Sequence, residues 1–478
     1  MRRGFSLTAL LRATLAAALT TALVVPFPAR AGGPLYVGGP NFGVDGQFLT
    51  WDVSTPVPYR IDGGPLSSKP DGTIAIDNAT GATRVNSMFL NWENVPTASI
   101  RFSNAGAIQN VPPGFTDGDV DTVTELNAVK GDCNAGNQNP IIFDANGALF
   151  NLLFGDPRVL GFASICKLDS STGRIVSAMA VLNGIFQDGI SSRNNYELTT
   201  AEFDEVFIHE FGHFAGLDHS QINVDVLKGQ PNSCSSDDLA GLPLMFPILF
   251  CQARSAASLP VLAPDDLAWI SHLYPETGSG AGQTPFNAAY GTIRGAVFFS
   301  DGISQAQGVN VVARRISDGN ALNGDETRRI AFSAVSGYRF TGRPGQSVTT
   351  NSPPSKFGSR DSHLIGVYEI PVTPGTYTVQ VESVNSGFAF GSSVGPVDPP
   401  IPNPGLDEYW NTAESATDSP TASSTVTATA GQTVGNIDII LNGTPKRFDA
   451  FESAELWQPD APPLWLRREK SAQELLAA

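Results

Sequence analysis

Histidine is scarce in this sequence, and the scarcity makes its placement informative. There are 5 histidines in 478 residues, and three of them fall between positions 209 and 219. Cysteine is scarcer still, with 4 in the chain and no C-x-x-C spacing, which weakens any zinc-thiolate reading. Basic residues are outnumbered, 29 against 46 acidic, for a formal net charge of -17. That balance argues against nucleic acid and anionic membranes as partners. Long apolar runs are confined to the first residues. Arg2 and Arg3 precede an apolar stretch through Val25, and Ala29-Arg30-Ala31 is a small-residue cleavage signal. Residues 1–31 therefore read as a signal peptide, of Sec type or, from Arg2-Arg3-Gly4-Phe5-Ser6-Leu7, twin-arginine type. No later run approaches the ~20 apolar residues that span a bilayer. The expected product is an exported protein with no membrane span. Removing the four arginines of the signal takes the net charge from -17 to -21.

The chain is organised around His209-Glu210-Phe211-Gly212-His213-Phe214-Ala215-Gly216-Leu217-Asp218-His219. On a helix, residues four apart share a face, so His209 and His213 present two imidazoles to one point. Neutral imidazoles suit Zn²⁺, which takes nitrogen or sulfur ligands tetrahedrally. Gly216 allows a left-handed turn that ends the helix, and His219 can then return as a third ligand. Three protein ligands leave a fourth position open, as catalytic zinc sites do. Glu210 follows the first ligand and can reach a water at that position as general base and acid. Thr199-x-x-Glu202 is a capping box that starts this helix. Phe203, Phe207, Phe211 and Phe214 form an apolar stripe offset from the histidines.

The motif H-E-x-x-H-x-x-G-x-x-H resembles that of the metzincin zinc metalloproteases. That resemblance implies a methionine turn under the metal, for which Gly241-Leu242-Pro243-Leu244-Met245-Phe246-Pro247 supplies Met245 as a floor and not a ligand. Ser220 after the third histidine, and Pro247 where astacins and serralysins place a tyrosine, are similar to the matrixin branch. The likeness covers roughly Phe48 to Tyr274. It implies an α+β fold for residues 32–275, with a twisted, mostly parallel sheet, an active-site helix and a C-terminal helix at Ala263–Tyr274. It further implies that Val159–Ser164 is an edge strand holding an extended peptide. The cysteine-switch segment of animal matrixins is absent.

Other features are read from the residues. Val57–Asp62, Ala98–Phe102 and Ile175–Val181 are strand-like, and Val85, Phe89 and Trp92 mark a helix. Phe143-Asp144-Ala145-Asn146-Gly147 followed by Asp156 is similar to the opening of a calcium loop, so Asp144, Asn146 and Asp156 are candidate Ca²⁺ ligands; an Asx-Gly turn is the competing reading. Exported cysteines pair, and Cys133 with Cys166 and Cys234 with Cys251 are the local choices among three connectivities. The second pair would close a loop around Met245. His272 is expected to be a helix-surface or packing residue rather than a metal ligand.

Residues 276–288 read as a linker rich in Gly, Ser and Thr. Beyond it the apolar period becomes two, with strands expected at Gly291–Phe298, Val309–Ala313, Gly366–Ile370, Gly375–Val381 and Val434–Leu441. Residues 289–443 resemble transthyretin-like or carboxypeptidase-regulatory-like β-sandwich modules, and 444–478 form a tail. The expected function is a secreted zinc endopeptidase acting on protein or peptide substrate. The alternative is a surface-binding protein in which the sandwich makes the contact and the first domain is a scaffold; the intact Glu210 weighs against it.

Overall fold

The computed structural model describes residues 32–39, 44–109, 118–131, 138–154, 159–169, 171–190, 197–228, 234–249, 251–278, 280, 282–316, 326–340, 358–359, 361–382 and 408–442. The signal segment, Cys133, Asp156 and the tail lie outside them. It is mixed α and β, with several sheets.

The first half holds β1 (Thr50–Trp51), β2 (Val57–Ile61), the short pair β3 (Ser67–Ser68) and β4 (Ile74–Ile76), β5 (Phe102–Ala107), β6 (Pro140–Asp144), β7 (Gly161–Asp169) and β8 (Arg174–Asn183). Six of these make one sheet, in which pairing runs β1-β8-β6-β2-β5 with every pair parallel. β7 lies antiparallel along β8. The strand expected from Ala98 starts only at Phe102, because Ser99 N–H goes to the Tyr274 carbonyl and Ala98 bridges Pro275 instead.

Parallel strands covered on both faces read as unbroken apolar runs, and β6 is buried at all five positions. Its period of two divides it between two cores. Ile141 and Phe143 join the larger core, while Ile142 joins a smaller one with Leu149, Phe150 and Phe154. The helices are α1 (Asn78–Glu93), α2 (Val123–Gly131), α3 (Ala148–Phe154), α4 (Thr200–Phe214), α5 (Ser236–Gly241) and α6 (Pro264–Leu273). α1 is capped by Asp77 and buries Gly81, Val85, Phe89 and Trp92 along one stripe. α4 packs on α1: Phe89 and Phe211 stack with centroids 3.8 Å apart, and the Trp92 indole donates to the Ile208 carbonyl at 2.8 Å.

The second half begins with the short helix α7 (Phe286–Ala289), followed by β9 (Gly291–Phe298), β10 (Asn310–Arg315), α8 (Glu326–Arg329) and β11 (Ala331–Val335). β12 (Val367–Val372), β13 (Gly375–Glu382), β14 (Glu408–Tyr409), β15 (Val426–Ala428), β16 (Thr433–Val434) and β17 (Ile439–Ile440) complete it. One sheet runs β11-β10-β13-β14 with β15 also on β13; the other runs β12-β9-β16 with β17 also on β9. Their inner faces share a core that includes Val311, Val379 and Val381 from one, and Ile293, Tyr368 and Ile370 from the other. The last expected strand is broken in two. Asn436 takes a left-handed φ of 60°, and the Asp438 carboxylate captures the Ala296 N–H at 2.8 Å.

Described residues of the 276–288 connection are tied to the first half. Glu276 and Thr284 donate to the Thr97 and Pro96 carbonyls at 3.0 and 2.9 Å, and the segment ends in α7. On α6, Trp269 donates from its indole to the Ser333 carbonyl at 2.8 Å, and Asp265 accepts the Ser333 N–H at 2.9 Å. One continuous apolar cluster therefore runs from the first sheet through α6 into both later sheets. His272 packs among Phe48, Trp269 and Phe286, the packing rather than the surface alternative. Among the described residues no helix is long and apolar enough to cross a membrane.

Candidate metal centre

The capping box forms as the sequence predicts: the Glu202 amide donates to Thr199 Oγ1, and the Glu202 carboxylate accepts the Thr199 N–H at 2.8 Å. It fixes where α4 starts, and so which face carries His209 and His213. The Phe stripe is buried along the helix and locks its rotation. At the far end Gly216 adopts φ 93°, and the Leu217 N–H returns to the Gly212 carbonyl at 2.9 Å. The chain turns back here, with Leu35 donating to the Gly216 carbonyl at 2.7 Å and Gly32 to that of His219 at 2.5 Å.

This reversal delivers His219. Its Nε2 lies 3.1 Å from His209 Nε2 and 3.0 Å from His213 Nε2. Among the described residues these three are the group of His, Cys, Asp or Glu side chains whose donor atoms converge closely enough to hold a metal ion. Two of the rings are oriented from behind. His209 Nδ1 meets the Leu244 carbonyl at 2.8 Å, and His213 Nδ1 meets that of Leu217 at 2.9 Å. A carbonyl only accepts, so each Nδ1 carries the proton and each Nε2 offers its lone pair to the centre. Burial pushes His209 down to about 3, helped by neighbouring His213 and opposed by the Leu244 carbonyl, and pushes His213 down to about 4. Both rings are therefore neutral at ordinary pH, which is the ligand form. The donor set fits zinc: three converging imidazoles, two of them neutral and oriented by carbonyls.

Glu210, next to His209 in the chain, is buried and lies against Gly161 of β7. A β-carbon at position 161 would stand 3.0 Å from Glu210 Oε1, so glycine there leaves the carboxylate its space. Met245 passes beneath the helix, its sulfur filling the volume that a Gly212 side chain would need. The buried carboxylate of Asp266 holds the turn, accepting N–H groups from Leu244 at 2.7 Å, Met245 at 3.0 Å and Ala263 at 2.7 Å. One turn before His209, Glu205 accepts the N–H groups of Arg254 and Ser255 at 3.0 and 2.9 Å. Arg254 Nη1 in turn donates to the carbonyls of Leu239, Ala240 and Leu242. Cys234 and Cys251 form the expected disulfide around Met245. These supports frame a largely apolar pocket beside the centre, with His209, Val206, Leu239, Leu244 and Phe246 in its wall.

Glu205, Arg254 and Asp266 were not singled out by sequence reasoning. Glu205 carried a usable signal, being a carboxylate one helical turn from a ligand. The supports of the other two are non-local, and no spacing announces them.

Of the three candidate calcium residues, Asp144 and Asn146 are among the described residues. Asp144 is buried, and its carboxylate accepts the Phe150 N–H at 2.7 Å at the start of α3. Burial pushes it up to about 6, against the lowering effect of the N–H groups of residues 147–150. Asn146 accepts the Ala148 N–H at 2.9 Å. These are helix-capping and turn roles, the competing reading of the segment. Asp156 lies outside the described residues, as does Cys133, the expected partner of Cys166.

No family model and no curated protein matches the chain. Among solved structures, a leucine-rich repeat protein from Bacteroides thetaiotaomicron VPI-5482 matches at 10% identity, over 34% of this chain and 15% of that one, with a TM-score of 0.14. A likeness of that size carries no argument about fold or function.

Proposed function

We propose that the chain is an exported zinc-dependent endopeptidase with a metzincin site of matrixin type. One observation carries the proposal: the Nε2 atoms of His209, His213 and His219 converge on one point, and Glu210 follows His209 in the chain. The mostly parallel sheet with its antiparallel edge strand β7, and α4 packed against β7 and β8, supports a metzincin-like first unit. The two later sheets support an accessory sandwich.

His209, His213 and His219 would hold the ion. Zinc in such a site acts as a Lewis acid toward the scissile carbonyl and lowers the pKa of water to ~7. Glu210 takes the proton of the attacking water and returns it to the leaving amine. Its burial excludes competing water, and its place next to His209 keeps it in reach of the reacting atoms. β7 offers its outer edge to an extended peptide, which it would grip by main-chain hydrogen bonds with little side-chain preference. The apolar pocket beside His209 supplies preference instead.

The test uses the full chain, because the two units share one core. Purified protein should contain about one zinc per chain and cleave casein, and both should be lost on chelation. Glu210→Ala should keep the zinc and lose cleavage. A metal-free purified chain, or full cleavage by Glu210→Ala, overturns the reading.

A further inference from the structure

The two-sheet region carries acidic side chains for which a peptidase has no use. β14 pairs with β13 so that Glu408 stands opposite Val381. Opposed residues of an antiparallel pair point to the same face, and Val381 is fully buried. The register therefore turns a carboxylate toward the space between the sheets, where Glu408 is only 3% exposed. Its Oε2 accepts the Asn442 N–H at 2.8 Å. Its Oε1 is buried with no hydrogen-bond partner.

Two more buried oxygens are in the same condition, Asp418 Oδ1 and Asn442 Oδ1. They belong to one network. Asn442 Nδ2 donates to the Asp418 main-chain carbonyl at 3.2 Å, and Asp418 Oδ2 accepts from Asn411 Nδ2 at 2.5 Å. Glu414 stands behind them with both oxygens engaged, by the Asn411 N–H at 2.8 Å and the Ile440 N–H at 2.9 Å. Burial first, then the charges of Glu414 and Asp418, push Glu408 up to about 7 against the Asn442 hydrogen bond. Three orphaned acceptors in an acidic setting lack one thing, a positive charge that takes oxygen ligands.

We propose that Glu408 Oε1, Asp418 Oδ1 and Asn442 Oδ1 are protein ligands of a structural Ca²⁺ ion, whose remaining positions are filled by water. The donors are all hard oxygens, two carboxylates and an amide carbonyl, which excludes the nitrogen- and sulfur-seeking metals. Ca²⁺ accepts such irregular sets, whereas Mg²⁺ demands near-ideal octahedral geometry and gives up water reluctantly. The three acids do not converge on a point by themselves, since among the described residues the histidine trio alone does so. Asn442 takes the third place, and Glu414 holds the loop. The ion ties β14, the loop through Asp418 and the end of β17, and so links one sheet to the other. This site is separate from Asp144 and from the histidines.

The experiment is a metal titration of the full chain after EGTA treatment, read by Tm and by Tb³⁺ luminescence excited through tryptophan, Trp410 lying just after β14. Millimolar Ca²⁺ should raise Tm by several degrees, and Mg²⁺ at the same concentration should not. Glu408→Gln and Asp418→Asn should lose most of that rise and weaken Ca²⁺ binding by roughly tenfold or more. Asp144→Asn and His213→Ala should keep it. Asn442→Asp, which adds charge, should tighten Ca²⁺ binding while lowering Tm in EGTA, an outcome that a merely damaged fold would not give. No Ca²⁺-dependent rise or luminescence, or a rise that Glu408→Gln and Asp418→Asn keep in full, overturns the proposal.

Discussion

The histidine centre and the acidic group around Glu408 both bury donor atoms, and they answer burial in opposite ways. Buried imidazoles shed their proton and become neutral ligands, so His209 and His213 sit close together at little electrostatic cost. Buried carboxylates that stay ionised repel one another, and Glu408 is driven up to about 7. On the two proposals made above, an ion at the first place would serve chemistry, whereas an ion at the second would serve stability. Stripping metal should stop hydrolysis at one and loosen the sheets at the other.

The sharpest way to break this contrast is Glu210→Gln. It should lower kcat/KM on peptides by roughly a thousandfold, within the range of general acid–base catalysis, with zinc content and Tm little changed. A loss below about tenfold would remove Glu210 as the base.

Asp266→Ala comes next. It leaves three buried N–H groups without their carboxylate, and should cost about 3–5 kcal/mol in denaturant unfolding. A cost under about 1 kcal/mol would mean that the methionine turn is held by other contacts.

His272 separates burial from metal binding, because it is buried without companion ligands. Burial first, then Arg339, pushes it down to about 4, with Glu369 opposing. A base whose folded pKa is depressed favours the folded state above its unfolded value of about 6.5. Stability should therefore fall as pH drops from about 6.5 to about 4, and His272→Phe should flatten that slope in pH-dependent melts. An unchanged slope would place the acid sensitivity elsewhere.

The smallest effect is expected at Arg328. It reaches across from α8 to Asp238 of α5 at 2.5 Å and to Asp225 at 3.1 Å, in the segment that leads to the pocket residue Leu239. These pairs are partly exposed, so Arg328→Ala should cost about 1 kcal/mol, with faster hydrogen exchange over residues 222–241. Unchanged exchange would show that Ile222 against Val312 and Ala331 holds the loop alone.

What was legible in the sequence was what local geometry fixes. The histidines, Glu210, the Thr199 cap and the Phe stripe are one helix and one turn, and spacing alone places them. The Cys234–Cys251 pair was legible for the same reason. The acidic group was invisible because Glu408 and Asn442 meet only through sheet register. An Asx-Gly run serves a calcium loop or a turn alike, so spacing does not announce that the N–H groups at the start of α3 engage Asp144. The segment at 276–288 has linker composition, yet carbonyls of Thr97 and Pro96 tie it down. Val434–Leu441 has an unbroken strand pattern that the Asn436 backbone interrupts.

The apolar continuity through α6 bears on how such a chain can be inherited. Cutting after Tyr274 would lay bare the Trp269 indole and the Ile222 contact, a sticky surface on each fragment. Neither half could then be shuffled onto a foreign neighbour without first acquiring a new polar coat. Sequence drift along this seam should accordingly be concerted, with changes at Ser333 or Val312 answered at Trp269 or Ile222.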